Sequence, residues 1–138
     1  MDEFALIEKF FRPLAWRAKG AFNLENDTAF YAPPKGQTLV LTTDAMIEGV
    51  HFLPSESAET VGRRLLRVNL SDLAASGAKP VGYLLNLGGG RVTPAWLRKF
   101  CAGLEADQKR FGVSLFGGDT TSGAKTLMLS LTAFGTAP

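Results

Sequence analysis

Residues 38–52 read TLVLTTDAMIEGVHF, and the folding of the first half of that run decides the class of the chain. Leu39 and Leu41 alternate with Val40, the two-residue period of a strand. Apolar residues fall on both faces, which predicts a strand covered on two sides. The run turns polar at Thr42, Thr43 and Asp44, then reaches His51, the sole histidine. Two readings of that polar end stay open here: a strand meeting solvent, or the rim of a site for a metal and a phosphate.

Working outward, Phe4, Ile7, Phe10 and Phe11 recur at helical spacing, so residues 3–11 read as a short amphipathic helix ended by Pro13. TAFYA (28–32) reads as a short strand, and Pro33-Pro34-Lys35-Gly36 as a turn. Residues 58–77 predict a long helix closed by Gly77, with Pro80 just beyond. Val81, Tyr83, Leu85 and Leu87 alternate toward Gly88-Gly89-Gly90, a flexible turn. Thr93 is the N-cap of a helix with Pro94 at its first position. That helix carries Leu97, Phe100, Leu104 and Phe111 on its core side and stops at Gly112. VSLF (113–116) is a short strand leading into a Gly117-Gly118-Asp119 loop. TLMLSLTAF (126–134) is the last strand, with Leu127, Leu129 and Leu131 on one face. The order α-β-β-α-β-α-β-β predicts an α/β fold of the α+β type. It has one mixed sheet of four to five strands with helices packed on it, and its last two strands pair antiparallel.

The 138 residues suit one domain with a core of its own. A composition of 46% hydrophobic and 20% charged residues belongs to a globular chain and not to a disordered one. A net charge of +2, spread along the chain, argues against nucleic acid and anionic membrane as partners. Arg63, Arg64 and Arg67 read as the solvated side of a helix. One cysteine, Cys101, excludes an internal disulfide framework and a multi-cysteine metal site, which makes a reducing compartment the expectation. The opening MDEFALIEKFF lacks the basic region of a signal peptide. No apolar run reaches the ~18 residues of a membrane span, so a cytoplasmic protein is expected. The ending LTAFGTAP, an apolar strand with almost nothing after it, suggests an isolated or truncated domain.

Four aspartates draw the chemistry together: Asp27, Asp44, Asp72 and Asp119. Asp44 is read as ending a strand and Asp119 as following one, and ligands gather at strand ends in α/β sheets. Singly, each is equally a turn residue or a helix cap. Asp72 shares a helical side with Val61, Leu65 and Val68, and a carboxylate in an apolar stripe requires a hydrogen bond, a counter-charge or a cation. Either an internal bond to Asn69, Ser76 or a nearby threonine, or a metal, satisfies that requirement. Carboxylates, threonine oxygens and glycine turns with few histidines suit a hard cation such as Mg²⁺ beside phosphates. The chain contains neither GxxxxGK[ST] nor GxGxxG, which excludes a P-loop and the usual dinucleotide fingerprint. No serine sits in a GxSxG elbow, which disfavours a Ser-His-Asp hydrolase. His51 reads either as a structural residue between Val50 and Phe52 or as a hydrogen-bond donor to phosphate.

LTTDAMIEGVHF, VNLSDLAASGAKP and FGGDTTSG, in that order and spacing, closely resemble the N-terminal domain of the thiamine-monophosphate kinase family. That family is grouped with aminoimidazole ribonucleotide synthetase and selenophosphate synthetase. The resemblance runs from about EFALIEKFF to LTAFGT. It implies the fold of that N-terminal domain over residues 1–138. It also implies ATP- and Mg²⁺-dependent phosphorylation of thiamine monophosphate to thiamine diphosphate by in-line transfer. Carried over by position, Asp27, Asp44, Asp72 and Asp119 are implied metal ligands, with Thr42 and Thr43 adding oxygens beside Asp44. Gly118 and Asp119 are implied to meet the nucleotide phosphates, and His51 the substrate. Glu25-Asn26-Asp27 stands where the family carries Gly-Asp-Asp, so one carboxylate is replaced by a neutral amide. The family continues into a further domain, absent from this chain, and without it the chain is expected not to complete catalysis. The family also dimerises through the first strands of this domain, so a homodimer is implied. The competing readings are a sister synthetase and a non-catalytic dimerisation or nucleotide-binding module. Selenophosphate synthetase would carry a reactive cysteine near its N-terminus, whereas Cys101 lies far from it.

Overall fold

The computed structural model describes residues 2–90 and 92–138. At its centre are four strands: β1 (Thr38–Ile47), β2 (Lys79–Gly88), β3 (Ser114–Thr121) and β4 (Met128–Ala137). They form one mixed sheet in the spatial order β1-β4-β2-β3. β4 is antiparallel to both of its neighbours, and β2 and β3 are parallel. β1, β2 and β3 therefore point the same way, and their carboxyl ends share one end of the sheet.

The mixed four-stranded sheet with helices is the expected architecture, but its internal order differs from the expected one. β3 and β4 do not pair, because β2 lies between them. β4 carries Leu129, Leu131 and Ala133, at 0% exposure, on its helix-covered face and buries Phe134 and Thr136 on the other, and so it takes a central place. β1 is left at an edge: Leu41 is 63% exposed, so this strand is not covered on two sides. Residues 28–32 form no strand. Their backbone is held by Phe30 N–H donating to Gly20 O at 2.8 Å, and Tyr31 packs on Phe134, with ring centroids 5.3 Å apart. β3 runs on through Gly117, Gly118 and Asp119, which the sequence places in a loop.

Helix α1 (Glu3–Leu6) tightens and loosens as it proceeds, through a π turn at Ile7–Phe11 and a 3₁₀ turn at Arg12–Ala15. Pro13 thus sits inside a continuing helical path, which resumes as a 3₁₀ turn at Lys19 and breaks at Phe22 and Asn23, where φ becomes positive. Phe10 and Phe11 are buried, whereas Phe4 is exposed. Helices α2 (Ala58–Ala75) and α3 (Pro94–Phe111) cover one face of the sheet. α3 is capped as its sequence predicts: Thr93 Oγ1 accepts from Trp96 N–H at 3.1 Å, and Gly112 closes it in the left-handed region at φ 71°. Leu97, Phe100 and Leu104 are buried on its core side, but Phe111 is exposed.

α2 and α3 meet backbone to backbone at two glycines. A β-carbon on Gly62 would lie 2.6 Å from the Phe100 carbonyl oxygen, and one on Gly103 would lie 2.3 Å from that of Glu59. Beside this crossing Arg67 makes a two-pronged ion pair with buried Asp107, at 2.7 and 2.9 Å. Arg67 is therefore a tie between helices, while Arg63 pairs with Glu59 and Arg64 with Glu56 on the outer side. A buried polar chain joins three layers. The Tyr83 hydroxyl donates to Gln108 Oε1 at 2.6 Å, and Gln108 Nε2 donates to Leu14 O at 2.9 Å. The opposite face of the sheet carries a smaller cluster: Ala15, Ala18, Ala21, Phe116 and Phe134, with Tyr31 and Val81 against it. That cluster covers only part of the face.

Two predictions test this packing. Helix propensity favours Gly103→Ala by about 1 kcal/mol, but the added carbon meets a carbonyl that cannot move aside. The expected net result is a loss of about 1–3 kcal/mol in urea unfolding. Cys101 is buried, and burial, with Glu105 adding to it, pushes its thiol up to about 12. A disulfide-exchange reagent at pH 8 should leave it unlabelled until the chain is unfolded. Since the fold raises this value, its contribution to stability is complete below the ordinary thiol range and falls away as the pH climbs toward about 12.

Candidate active site

Sheet register sorts the candidate residues onto two faces. Thr42 aligns with Ala133, which aligns with Tyr83, and Asp44 aligns with Leu131, which aligns with Leu85. These rows lie on the helix-covered face. Thr43 aligns with Thr132, and Asp119 aligns with Asn86 and through it with Ser130, on the opposite face. Asp44 is the seventh residue of the ten in β1 and does not end the strand.

A cavity of about 1020 Å³ opens along β2 and β3 beneath the N-terminal segment. Asp27 and Asp119 both line it, with Gly118, Asn86 and Thr132 between β2, β3 and β4. Phe4, Ile7 and Phe11 supply an apolar wall from the N-terminal helical segment. The structure therefore brings Asp27 together with Gly118 and Asp119. Thr43 is joined to the same region, because Thr132 Oγ1 donates to Thr43 Oγ1 at 3.0 Å, and Thr43 in turn donates to Leu131 O at 3.2 Å.

Asp72 stands elsewhere. Thr42 Oγ1 donates to its Oδ2 at 3.5 Å, across the gap between β1 and α2. Asp72 is exposed, so its place in the apolar stripe does not bury it. The buried residues of α2 are Ala58, Val61, Gly62, Leu65, Leu66, Asn69, Leu70 and Leu73. At about 100° per residue that arc centres near Asn69 and leaves Val68 outside; Asp72 projects between Val61 and Leu65 but stands in the last turn of the helix. The buried polar residue of this helix is thus Asn69: its Nδ2 donates to Leu65 O at 2.9 Å, and its Oδ1 has no partner among the described residues.

His51 lies in the loop between β1 and α2. Ile47 N–H donates to its Nδ1 at 2.9 Å, so the neutral ring carries its proton on Nε2. The loop is tied to α2 by Arg64, which donates to Glu56 at 2.6 Å and to His51 O at 3.3 Å. The hydrogen bond from Arg64, and then that from Leu53 N–H, holds the Glu56 carboxyl below the usual range. His51 does not line the Asp27–Asp119 cavity.

Asp27 is delivered by an unusual backbone. Phe22, Asn23 and Leu24 take φ values of 50°, 55° and 59°, three consecutive left-handed residues of which none is glycine. Each costs of order 1 kcal/mol or more. Gly20 is needed where this excursion closes, since a β-carbon there would meet the Phe30 carbonyl oxygen at 1.6 Å. Gly118 is likewise needed for pairing, because its β-carbon would lie 1.8 Å from Leu85 O.

Among the described residues, no three His, Cys, Asp or Glu side chains converge on one point as a ready metal cage. The donors that do share the cavity are hard oxygens: the carboxylates of Asp27 and Asp119 with those of Glu3, Glu8 and Glu25, the amides of Asn26 and Asn86, and the hydroxyls of Thr28, Thr120 and Thr132. Mg²⁺ is commonly held by one or two carboxylates, with phosphate and water oxygens completing its shell, so this donor set fits it beside a phosphate ligand. Sequence reasoning missed Asn86, Thr132 and the apolar wall. Asn86 had a signal, as the polar break on the second face of the YLLNLG run.

Comparison with known proteins gives a consistent result. The family model described as "AIR synthase related protein, N-terminal domain" matches residues 25–137. A curated thiamine-monophosphate kinase of Caulobacter vibrioides is 43% identical over 137 residues, 99% of this chain and 39% of that protein. The crystal structure of thiamine-monophosphate kinase from Stenotrophomonas maltophilia superposes with a TM-score of 0.82 at 36% identity, over 99% of this chain and 43% of that one. A structure described as AaThiL complexed with AMPPCP and TMP superposes at 0.71 with 29% identity, over 98% of this chain and 42% of that one. The chain thus spans about two fifths of the length of these relatives.

Asp27 and Asp119 are both exposed and have no hydrogen bond to another described residue. Asp27→Asn and Asp119→Asn should therefore each move stability by no more than about 0.5 kcal/mol in urea unfolding. A larger loss would assign them a structural task.

Proposed function

We propose, from the premise that this chain belongs to the AIR synthase related protein family, that it is the N-terminal domain of a cytoplasmic, ATP- and Mg²⁺-dependent thiamine-monophosphate kinase. The observation that carries this reading is the cavity that sets Asp27 against Gly118 and Asp119, in a chain so similar to those kinases. The reaction moves the γ-phosphoryl group of ATP onto the phosphate of thiamine monophosphate. In-line transfer of this kind depends on positioning and charge neutralisation more than on covalent chemistry.

When bound, Mg²⁺ would offset the charge that builds on the phosphate oxygens during transfer. Asp27 and Asp119 are the carboxylates to hold it, from opposite walls of one cavity. Asp72, which Thr42 orients, and Asp44, two residues beyond Thr42 on the same face of β1, are two further carboxylates for a cation. Thr43, held by Thr132 and Leu131, offers a fixed hydroxyl oxygen. Gly118 leaves its backbone free of a side chain where the nucleotide phosphates lie. His51, its Nδ1 already occupied, presents Nε2–H to the substrate phosphate.

The remaining oxygen donors and the walls over the substrates come from the rest of the protein and from a second copy. β1 is an edge strand with apolar Leu39 and Leu41 exposed, which suits a homodimer paired through it.

Calorimetric titration of the chain with ATP tests the reading. Binding should appear with Mg²⁺ and vanish without it, and Asp119→Asn should weaken it about tenfold or more. Absence of binding at any Mg²⁺ concentration would favour a non-catalytic dimerisation module. On the complete protein, a thiamine-monophosphate kinase assay decides the reaction, and no activity there would sink it.

A further inference from the structure

We infer that Arg12 is a positioning residue for Asp27, acting as a clamp on the left-handed run that precedes it. This rests on the reading of the Asp27–Asp119 cavity given above.

Residues 20–30 form a closed excursion. Phe30 N–H donates to Gly20 O at 2.8 Å across its neck, and the Phe22 and Phe30 rings meet edge to face at 5.6 Å. Between them the chain goes through three left-handed residues before reaching Glu25, Asn26 and Asp27. Such a path holds only if its surroundings over-determine it. Within the excursion the restraint is slight, a single turn bond from Glu25 N–H to Phe22 O at 3.1 Å.

From outside, Leu24 packs against the core, and Arg12 adds the polar restraint. Its Nε donates to the carbonyl of Asn23, the middle left-handed residue, at 2.9 Å. Its terminal nitrogens lie 3.7 Å from Glu8 and 4.0 Å from Glu25. Glu8 fixes the guanidinium on the N-terminal helical segment, while Asn23 and Glu25 sit either side of the last strained residue. Arg12 itself lines the cavity with Asp27. The guanidinium thus reads the loop through a fork of donors, which an ammonium cannot reproduce.

Because surface ion pairs stabilise little, the clamp should show in local order and ligand affinity and not in global stability. Amide hydrogen exchange on the whole chain reads the first without any ligand. Arg12→Ala should speed exchange at Glu25 and Phe30 at least about tenfold, while Leu131 and Phe100 in the core stay unchanged. Arg12→Lys should fall between wild type and Ala. Wild-type exchange rates in Arg12→Ala overturn the clamp, whatever the cavity binds.

Mg²⁺-dependent ATP binding reads the second. Arg12→Ala should lower affinity about tenfold to a hundredfold, and combining it with Asp27→Asn should add nothing beyond Asp27→Asn alone. Losses that multiply overturn the route through Asp27. An Asp27→Asn variant that binds as wild type defeats the reading of the cavity, and the exchange result still decides the clamp.

Discussion

Strand β4 has given up both of its edges, one to β1 and one to β2, along nearly its whole length. Every other placement in the domain depends on that. It forces β1 and β2 to run in the same direction without touching, with β4 reversed between them. It sets Thr43 against Thr132 and aligns Ser130 with Asn86 and Asp119, so the face each oxygen donor occupies is decided by the register of one strand. β4 is also the last strand in the chain, and its β1 partners lie nearly a hundred residues away. The sheet is complete only when the whole domain is present, a topology in which distant pairing dominates and folding is slow.

The helices were legible in the sequence because their signals are local. Thr93 and Pro94 announce α3, Gly112 ends it, and three-and-four spacing marks its buried side. Strands were legible as elements but not as a sheet: alternation in TLMLSLTAF gives a strand without naming its partners. Proximity in sequence favoured a β3–β4 pair, and the two-sided burial of β4 overrode it. The same limit explains the reading of α2. A wheel assigns residues to sides, but how far along the helix a side stays covered depends on where α3 and the sheet lie, and that turned attention from Asn69 to Asp72. Asp27, Gly118 and Asp119 were found by motif and share one cavity. The left-handed path before Asp27 had no local signal, since Phe22, Asn23 and Leu24 carry none of the glycine that usually marks such backbone.

The two faces of the sheet are treated unequally. One is sealed by α2 and α3 and is held together by close helix contact, the Arg67–Asp107 pair and the Tyr83–Gln108–Leu14 chain. The other is covered only in part, by the Phe116–Phe134 cluster, and the polar residues Asn86, Thr132 and Asp119 fill the cavity beside it. Thr42, Asp44 and Asp72 sit across the sheet, at the margin of the sealed face. A ligand that engages both sets has to wrap the carboxyl ends of the strands, where the faces meet.

At that end, the Gly89-Gly90 turn is more than a flexible link. Both residues have positive φ, Gly90 N–H donates to Ala124 O at 2.9 Å, and β-carbons there would strike Thr126 and Leu127. The loops leaving β2 and β3 are therefore riveted to each other. Mechanically, that part of the rim is an abutment and not a hinge.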